Sequence, residues 1–179
     1  MSLVFLLGGA RSGKSALAVR LAERSGLPVT FVATAEAHDE EMAERIARHR
    51  AARPAGWMTI EEPLDLVGAV DLVPAESCLV LDCLSLWVSN VVERGAEAIE
   101  RQAEKAAARV AAREPLCVAV SNEVGLGIVP ASDLGRRYRD LLGRVNAIWA
   151  EAASEAALVA AGRLVPLVRP ASVFGGLGG

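Results

Sequence analysis

An apolar run, Leu3 to Leu7, leads directly into Gly8-Gly9-Ala10-Arg11-Ser12-Gly13-Lys14-Ser15. Gly8, Gly13, Lys14 and Ser15 satisfy G-x-x-x-x-G-K-[ST], the P-loop pattern. No other feature of the chain constrains the fold as much, because the pattern works only as a turn between a buried strand and a helix. There the backbone N–H groups of the loop and of the helix N-terminus wrap a phosphate. Lys14 is expected to reach the β/γ oxygens, and Ser15 to ligate Mg²⁺. An ordinary glycine-rich turn is the competing reading, but the strand before and the helix after favour the cradle. The motif leaves open what is done with the nucleotide.

The rest of the chain fits the same architecture. Lys14 to Ser25 reads as a helix stopped by Gly26 and Pro28. Val29 to Thr34 is β-branched and aromatic, a second strand. Asp39 to about Ala52 is a charged amphipathic helix, Trp57 to Glu62 a short extended piece, and Leu64 to Val70 a short helix. A strand ends at Asp82, and helices follow over Leu84 to Glu93 and Ala96 to Arg113. Leu116 to Ser121 is another strand. Ser132 caps a long helix running toward Ala157, with Leu134, Tyr138, Leu141, Val145 and Ile148 on its buried face. Two final strands are expected in "ALVAAG" and "LVPLV". Strands alternating with helices predict an α/β fold with a mainly parallel sheet, helices on both faces, and ligand at the carboxyl ends of the strands. One domain over residues 1–179 is expected, with a loose tail from about residue 170.

Composition narrows the function classes. The chain of 179 residues is 53% hydrophobic, only 4% aromatic, and carries a net charge of −3. Near-neutral charge gives no pull toward nucleic acid or anionic membrane. No apolar run approaches the roughly 18 residues of a membrane span. The apolar start lacks a basic n-region and runs into the P-loop, so it reads as a core strand and not a leader. Cys78, Cys83 and Cys117 are odd in number and lie in apolar stretches, as expected of buried reduced thiols in a cytoplasmic protein.

Four further features bear on chemistry. Asp82 closes the apolar run "CLVLD", where a strand-end carboxylate holds Mg²⁺ directly or through water; the alternative is an N-cap for the next helix. His49 shares a helix face with Met42 and Ile46. It is either a partly buried, packed histidine or a nucleophile. Arg45, Arg48, Arg50 and Arg53 surround it with a field that attracts phosphates and favours neutral imidazole. His38, the only other histidine, falls at the N-terminus of that helix, where exposure is expected. Glu61 and Glu62 are either a solvated pair or a contact to a base or ribose. "SNEVGLGIVP" links a strand to a helix at the functional edge of the sheet, where loops commonly contact substrate.

"GGARSGKS", "RIARHRAARPAGW", "TIEEP", "LVLDCLSLWVSN" and "SNEVGLGIVP" occur together and in this order. The set resembles the bifunctional adenosylcobinamide kinase / adenosylcobinamide-phosphate guanylyltransferase family of cobalamin biosynthesis, from Leu3 to about Gly162. The resemblance implies a RecA-like P-loop NTPase domain and two reactions. The aminopropanol hydroxyl of adenosylcobinamide takes the γ-phosphate of ATP or GTP. A histidine then attacks the α-phosphate of GTP, and the corrinoid phosphate takes the GMP, giving adenosylcobinamide-GDP. The matching histidine is His49, four residues before Arg53-Pro54. Some members carry two adjacent histidines here; this chain has Arg48 in the first position. The resemblance also places around the guanine nucleotide the P-loop residues, Ala33, Thr34 and Ala35, the stretch Ala51, Ala52, Arg53 and Pro54, and Glu61 and Asp82. It implies a homotrimer. The competing readings are a P-loop small-molecule kinase with no covalent step and a nucleotide switch. Against the switch, the chain has no N-K-x-D guanine-reading motif. Against a DNA partner, it has no basic surface run and few aromatics for stacking.

Overall fold

The computed structural model describes residues 3–37, 39–51 and 53–174. The expectations for His38, Ala52 and the last residues of the tail, 175–179, lie outside the described residues.

Seven strands form one sheet in the order β3-β2-β4-β5-β1-β6-β7. They are β1 (Leu3–Gly8), β2 (Val29–Ala33), β3 (Met58–Glu61), β4 (Cys78–Asp82), β5 (Cys117–Asn122), β6 (Glu155–Ala160) and β7 (Arg163–Leu167). All neighbouring pairs are parallel except β6 with β7. The helices are α1 (Lys14–Arg24), α2 (Glu40–Ala51), α3 (Leu66–Asp71), α4 (Leu84–Val91), α5 (Ala96–Ala111), α6 (Asp133–Ala152) and α7 (Pro170–Phe174). The mainly parallel α/β arrangement expected from the strand–helix alternation is present.

Central strands are apolar on both sides because both faces are covered. Leu3, Phe5, Leu79, Leu81, Cys117 and Ala119 face a cluster that includes Trp87, Ile99, Leu142 and Trp149 from α4, α5 and α6. Leu6, Val80, Val118 and Val120 face the other way, toward Ala18 and Ala22 of α1. The three cysteines are free and buried in this core.

Helix boundaries follow local chemistry. Ser132 caps α6, its side chain accepting from the Gly135 N–H. Two expectations for α6 need correction. The helix ends at Ala152, not near Ala157. Ala153 is extended, and Ser154 bonds the Leu3 carbonyl through its N–H (3.0 Å) and Oγ (2.8 Å), which starts the pairing of β6 with β1. Leu134, placed on the buried stripe by periodicity, is 52% exposed. In the first turn of α6 the backbone at Gly135 packs tightly against Pro130 instead. The segment expected as tail from residue 170 begins with the short helix α7.

Candidate active site

The P-loop joins β1 to α1 and is built by close backbone approach. A Cβ on Gly8 would collide with the Val159 carbonyl of β6 and the Ser12 hydroxyl. Gly13 takes φ 98°, a region L side chains avoid, and even Arg11 sits at φ 56°. The loop is closed by Ser12 N–H to Gly9 O (3.3 Å) and braced from outside by Gly162 N–H to Ser12 O (2.9 Å). Gly162 lies in the turn between β6 and β7. Lys14 is 8% exposed, with Nζ donating to the Gly9 carbonyl at 3.0 Å. The curled loop therefore presents its N–H groups and one buried ammonium to the same space.

Sheet register fixes the opposite wall. Ala33 at the end of β2 pairs with Asp82 of β4 on one side and Glu61 of β3 on the other, so three strand ends align at the carboxyl edge. Asp82 is followed by Cys83, which is the N-cap residue of α4 and caps with no side chain. The alternative reading of Asp82 as the helix cap is thereby corrected. Thr34 is fully buried; its hydroxyl donates to the Cys83 carbonyl (2.7 Å) and accepts the Cys83 N–H (3.0 Å). Asn90 of α4 donates to the Thr34 carbonyl (2.8 Å) and the Pro63 carbonyl (3.2 Å). These bonds sew the ends of β2 and β4 together behind Asp82. Burial pushes the Cys83 thiol up to about 11, with the Asp82 carboxylate adding to the effect.

Two adjoining cavities, of 690 and 460 Å³, occupy this edge. Their size suits a nucleotide. Lys14, Ser15, His49, Arg53 and Asp82 line both. Ala10 to Gly13 line the larger; Ala33, Ala35 and Glu61 line the smaller. Met42 and Ile46 join His49 there, so the three residues share a face as their spacing predicts. His49 itself is exposed, which corrects its reading as a partly buried packing residue. Gly8, Gly9, Thr34, Ala51 and Pro54 line neither cavity. Gly8 and Thr34 shape the walls from behind.

Sequence reasoning missed the aromatic support of Arg53. Its guanidinium lies 3.8 Å from the centroid of Phe31, and Phe31 stacks on Trp57 with centroids 6.5 Å apart. Arg53 Nε and Nη1 are buried without a hydrogen-bond partner. Burial lowers the Arg53 pKa, Asp82 and Glu61 oppose that pull, and Arg50 adds to it. Glu61 pairs with Arg50. The one sequence signal for this stack was a tryptophan close after Arg53-Pro54. Asn122, at the end of β5 and within the "SNEVGLGIVP" segment, also lines the smaller cavity.

Ser15 and Asp82 bring one hydroxyl and one carboxylate to the shared space. Among the described residues no cluster of three or more His, Cys, Asp or Glu gathers to hold a metal. A sparse oxygen set fits Mg²⁺, which keeps several waters and takes its remaining ligands from substrate phosphates.

Comparison with known proteins identifies the family. The family model described as cobinamide kinase / cobinamide phosphate guanyltransferase matches residues 4–167. The chain belongs to this family. The bifunctional adenosylcobalamin biosynthesis protein CobP of Pseudomonas aeruginosa is 44% identical over 164 residues, covering 90% of this chain and 95% of that protein. The bifunctional adenosylcobalamin biosynthesis protein CobU of Escherichia coli is 39% identical over 176 residues, covering 89% and 96%. A solved structure from Pyrococcus horikoshii OT3, studied as Project ID PH0250, shares the fold. Its TM-score is 0.56 at 8% identity, over 92% of this chain and 85% of that one. No helix among the described residues is long and apolar enough to cross a membrane.

Proposed function

We propose that this chain, as a single domain, phosphorylates adenosylcobinamide and then guanylylates the product. The observation that carries the reading is the convergence of Lys14, Ser15, Asp82 and His49 on adjoining cavities at the sheet's carboxyl edge. In the first reaction the acceptor hydroxyl oxygen attacks the γ-phosphorus of ATP or GTP, and the nucleoside diphosphate leaves. Lys14 and the P-loop N–H groups hold the charge that builds on the phosphate oxygens. Ser15 and Asp82 would hold Mg²⁺, which would neutralise phosphate charge.

In the second reaction an imidazole nitrogen of His49 attacks the α-phosphorus of GTP, and pyrophosphate leaves. The phosphate oxygen of adenosylcobinamide phosphate then attacks the same phosphorus and breaks the N–P bond. Adenosylcobinamide-GDP is released and His49 is restored. The exposure of His49 supports this role, since the nucleophile must meet two substrates in turn. Ala33, Ala35, Arg53 and Glu61 flank the nucleotide. We place the enzyme in the cytoplasm, a reading supported by its free thiols, and read it as a homotrimer. The half-exposed Leu164 and Val165 on the edge strand β7 supply apolar surface for such assembly.

GTP labelled at the α-phosphate tests the covalent step. Denatured wild-type protein retains label with the acid lability of a phosphoramidate, and His49→Ala retains none while staying folded. Undiminished label in His49→Ala, or label lost only in His38→Ala, would refute the assignment.

A further inference from the structure

The loop after β5 combines firm anchorage with apolar exposure. At its start, Glu123 N–H donates to the Gly8 carbonyl (3.2 Å), tying the loop to the strand that feeds the P-loop. Asn146 Nδ2 donates to the Asn122 carbonyl at 3.0 Å, and Val124 packs on the core. At its far end, Arg136 Nη1 donates to the carbonyls of Pro130 (2.9 Å) and Ala131 (2.7 Å). Between these anchors the tip turns its large side chains outward: Leu126 is 84% exposed, Ile128 97% and Val129 59%. Loop tips are ordinarily polar. A tip held at both roots and apolar between them implies something that covers it.

Position and chemistry select the cover. The loop leaves the carboxyl edge beside the P-loop, and the strand residue just before it, Asn122, lines the smaller cavity together with His49 and Asp82. Whatever receives a phosphoryl or guanylyl group must approach from this edge. From Val124 to Ser132 the loop carries no charged side chain. Such a surface suits the apolar face of an extended ring and not a phosphate. Resting on the proposed function, we propose that Leu126, Ile128 and Val129 form the platform on which the corrin macrocycle of the acceptor lies. The macrocycle's arm then reaches past Asn122 to the phosphates. The apolar edge strand β7 is the more suitable surface for another copy of the chain. It is a sheet edge, one whole β6-and-β1 width away from β5.

The test is the double variant Leu126→Ser/Ile128→Ser, assayed by equilibrium binding of adenosylcobinamide and of GTP, with solution mass measured by light scattering. Both substitutions fall on exposed side chains, so folding is retained. The expected result is corrinoid affinity weakened at least about tenfold, with GTP affinity and mass unchanged. The conservative Leu126→Met/Ile128→Val keeps corrinoid binding. Unchanged corrinoid affinity in the serine variant overturns the inference alone. So does a fall in mass, which would assign the loop to a contact between copies. A wild-type protein that binds GTP but no corrinoid overturns the functional reading and this inference together.

Discussion

Lys14 and His49 line the same two cavities and are held in opposite ways. Lys14 is 8% exposed, at the start of a helix whose Ala18 and Ala22 are fully buried against the sheet. Its loop is bonded from within by Gly9 and from outside by Gly162. His49 is exposed, and neither Met42 nor Ile46 of α2 belongs to a core cluster. Among the described residues, its segment is tied to the sheet by the Arg50–Glu61 pair and by Arg53 lying on Phe31. One wall of the cleft is thus fixed by backbone and core packing, the other by side chains at its end. The first arrangement suits a site that grips phosphates the same way in every turnover. The second suits a group that must meet different partners.

The largest expected effect comes from removing the fixed wall's charge. Lys14→Ala lowers both half-reactions about 10²–10³-fold or more, measured as kcat/KM for γ-phosphoryl and GMP transfer. Full transfer with wild-type nucleotide affinity would dissolve the contrast. Next is Asp82→Asn, expected to weaken Mg²⁺–nucleotide binding about tenfold or more, with a smaller loss for metal-free nucleotide. Equal losses in titrations with and without Mg²⁺ would make Asp82 a structural residue only.

Thiol chemistry compares the walls directly. In His49→Cys the introduced thiol reacts with a maleimide at neutral pH, while Cys78, Cys83 and Cys117 react only on unfolding. Fast reaction at Cys83 would mean the fixed wall opens. Burial pushes the thiols of Cys78 and Cys83 from 9.0 up to about 11. A raised folded-state pKa means their contribution to stability is complete below about pH 9 and is lost as pH climbs toward about 11. The slope is of order 1 kcal/mol per pH unit per thiol. A urea midpoint that stays level from pH 9 to 11 would contradict this; Cys78→Ala reduces the fall. The smallest effect belongs to Glu61→Gln. The pair it breaks is about half exposed, so stability changes by no more than about 0.5–1 kcal/mol in a denaturant titration.

What the sequence disclosed followed from local pattern. Apolar runs of strand length, Gly26 after α1 and Ser132 before α6 each act within a few residues, and each produced the element it predicts. The P-loop, Asp82 and His49 stood out in the sequence because each residue type has a chemistry at its position on a strand or helix, and they line one cleft. Strand order was not legible. Nothing near Leu3 or Cys117 states that β5 lies between β1 and β4, since parallel partners are chosen by distant packing. The Arg53–Phe31–Trp57 stack was hidden for the same reason: it joins a strand to the segment beyond α2. Leu134 misled because periodicity reports which way a side chain points, not whether the core extends that far.

The bond from Gly162 to the P-loop has a consequence for the order in which the protein is made. Residues 8–15 leave the ribosome well before β5 and β6, yet β1 pairs with these two strands, and the turn that braces Ser12 comes after both. Until residue 162 has been made, a growing chain carries the motif without all the neighbours that give it shape. Nucleotide meets the complete cradle only once β6 and the turn beyond it have emerged. The motif that the sequence announces most plainly thus takes its shape from contacts made far along the chain.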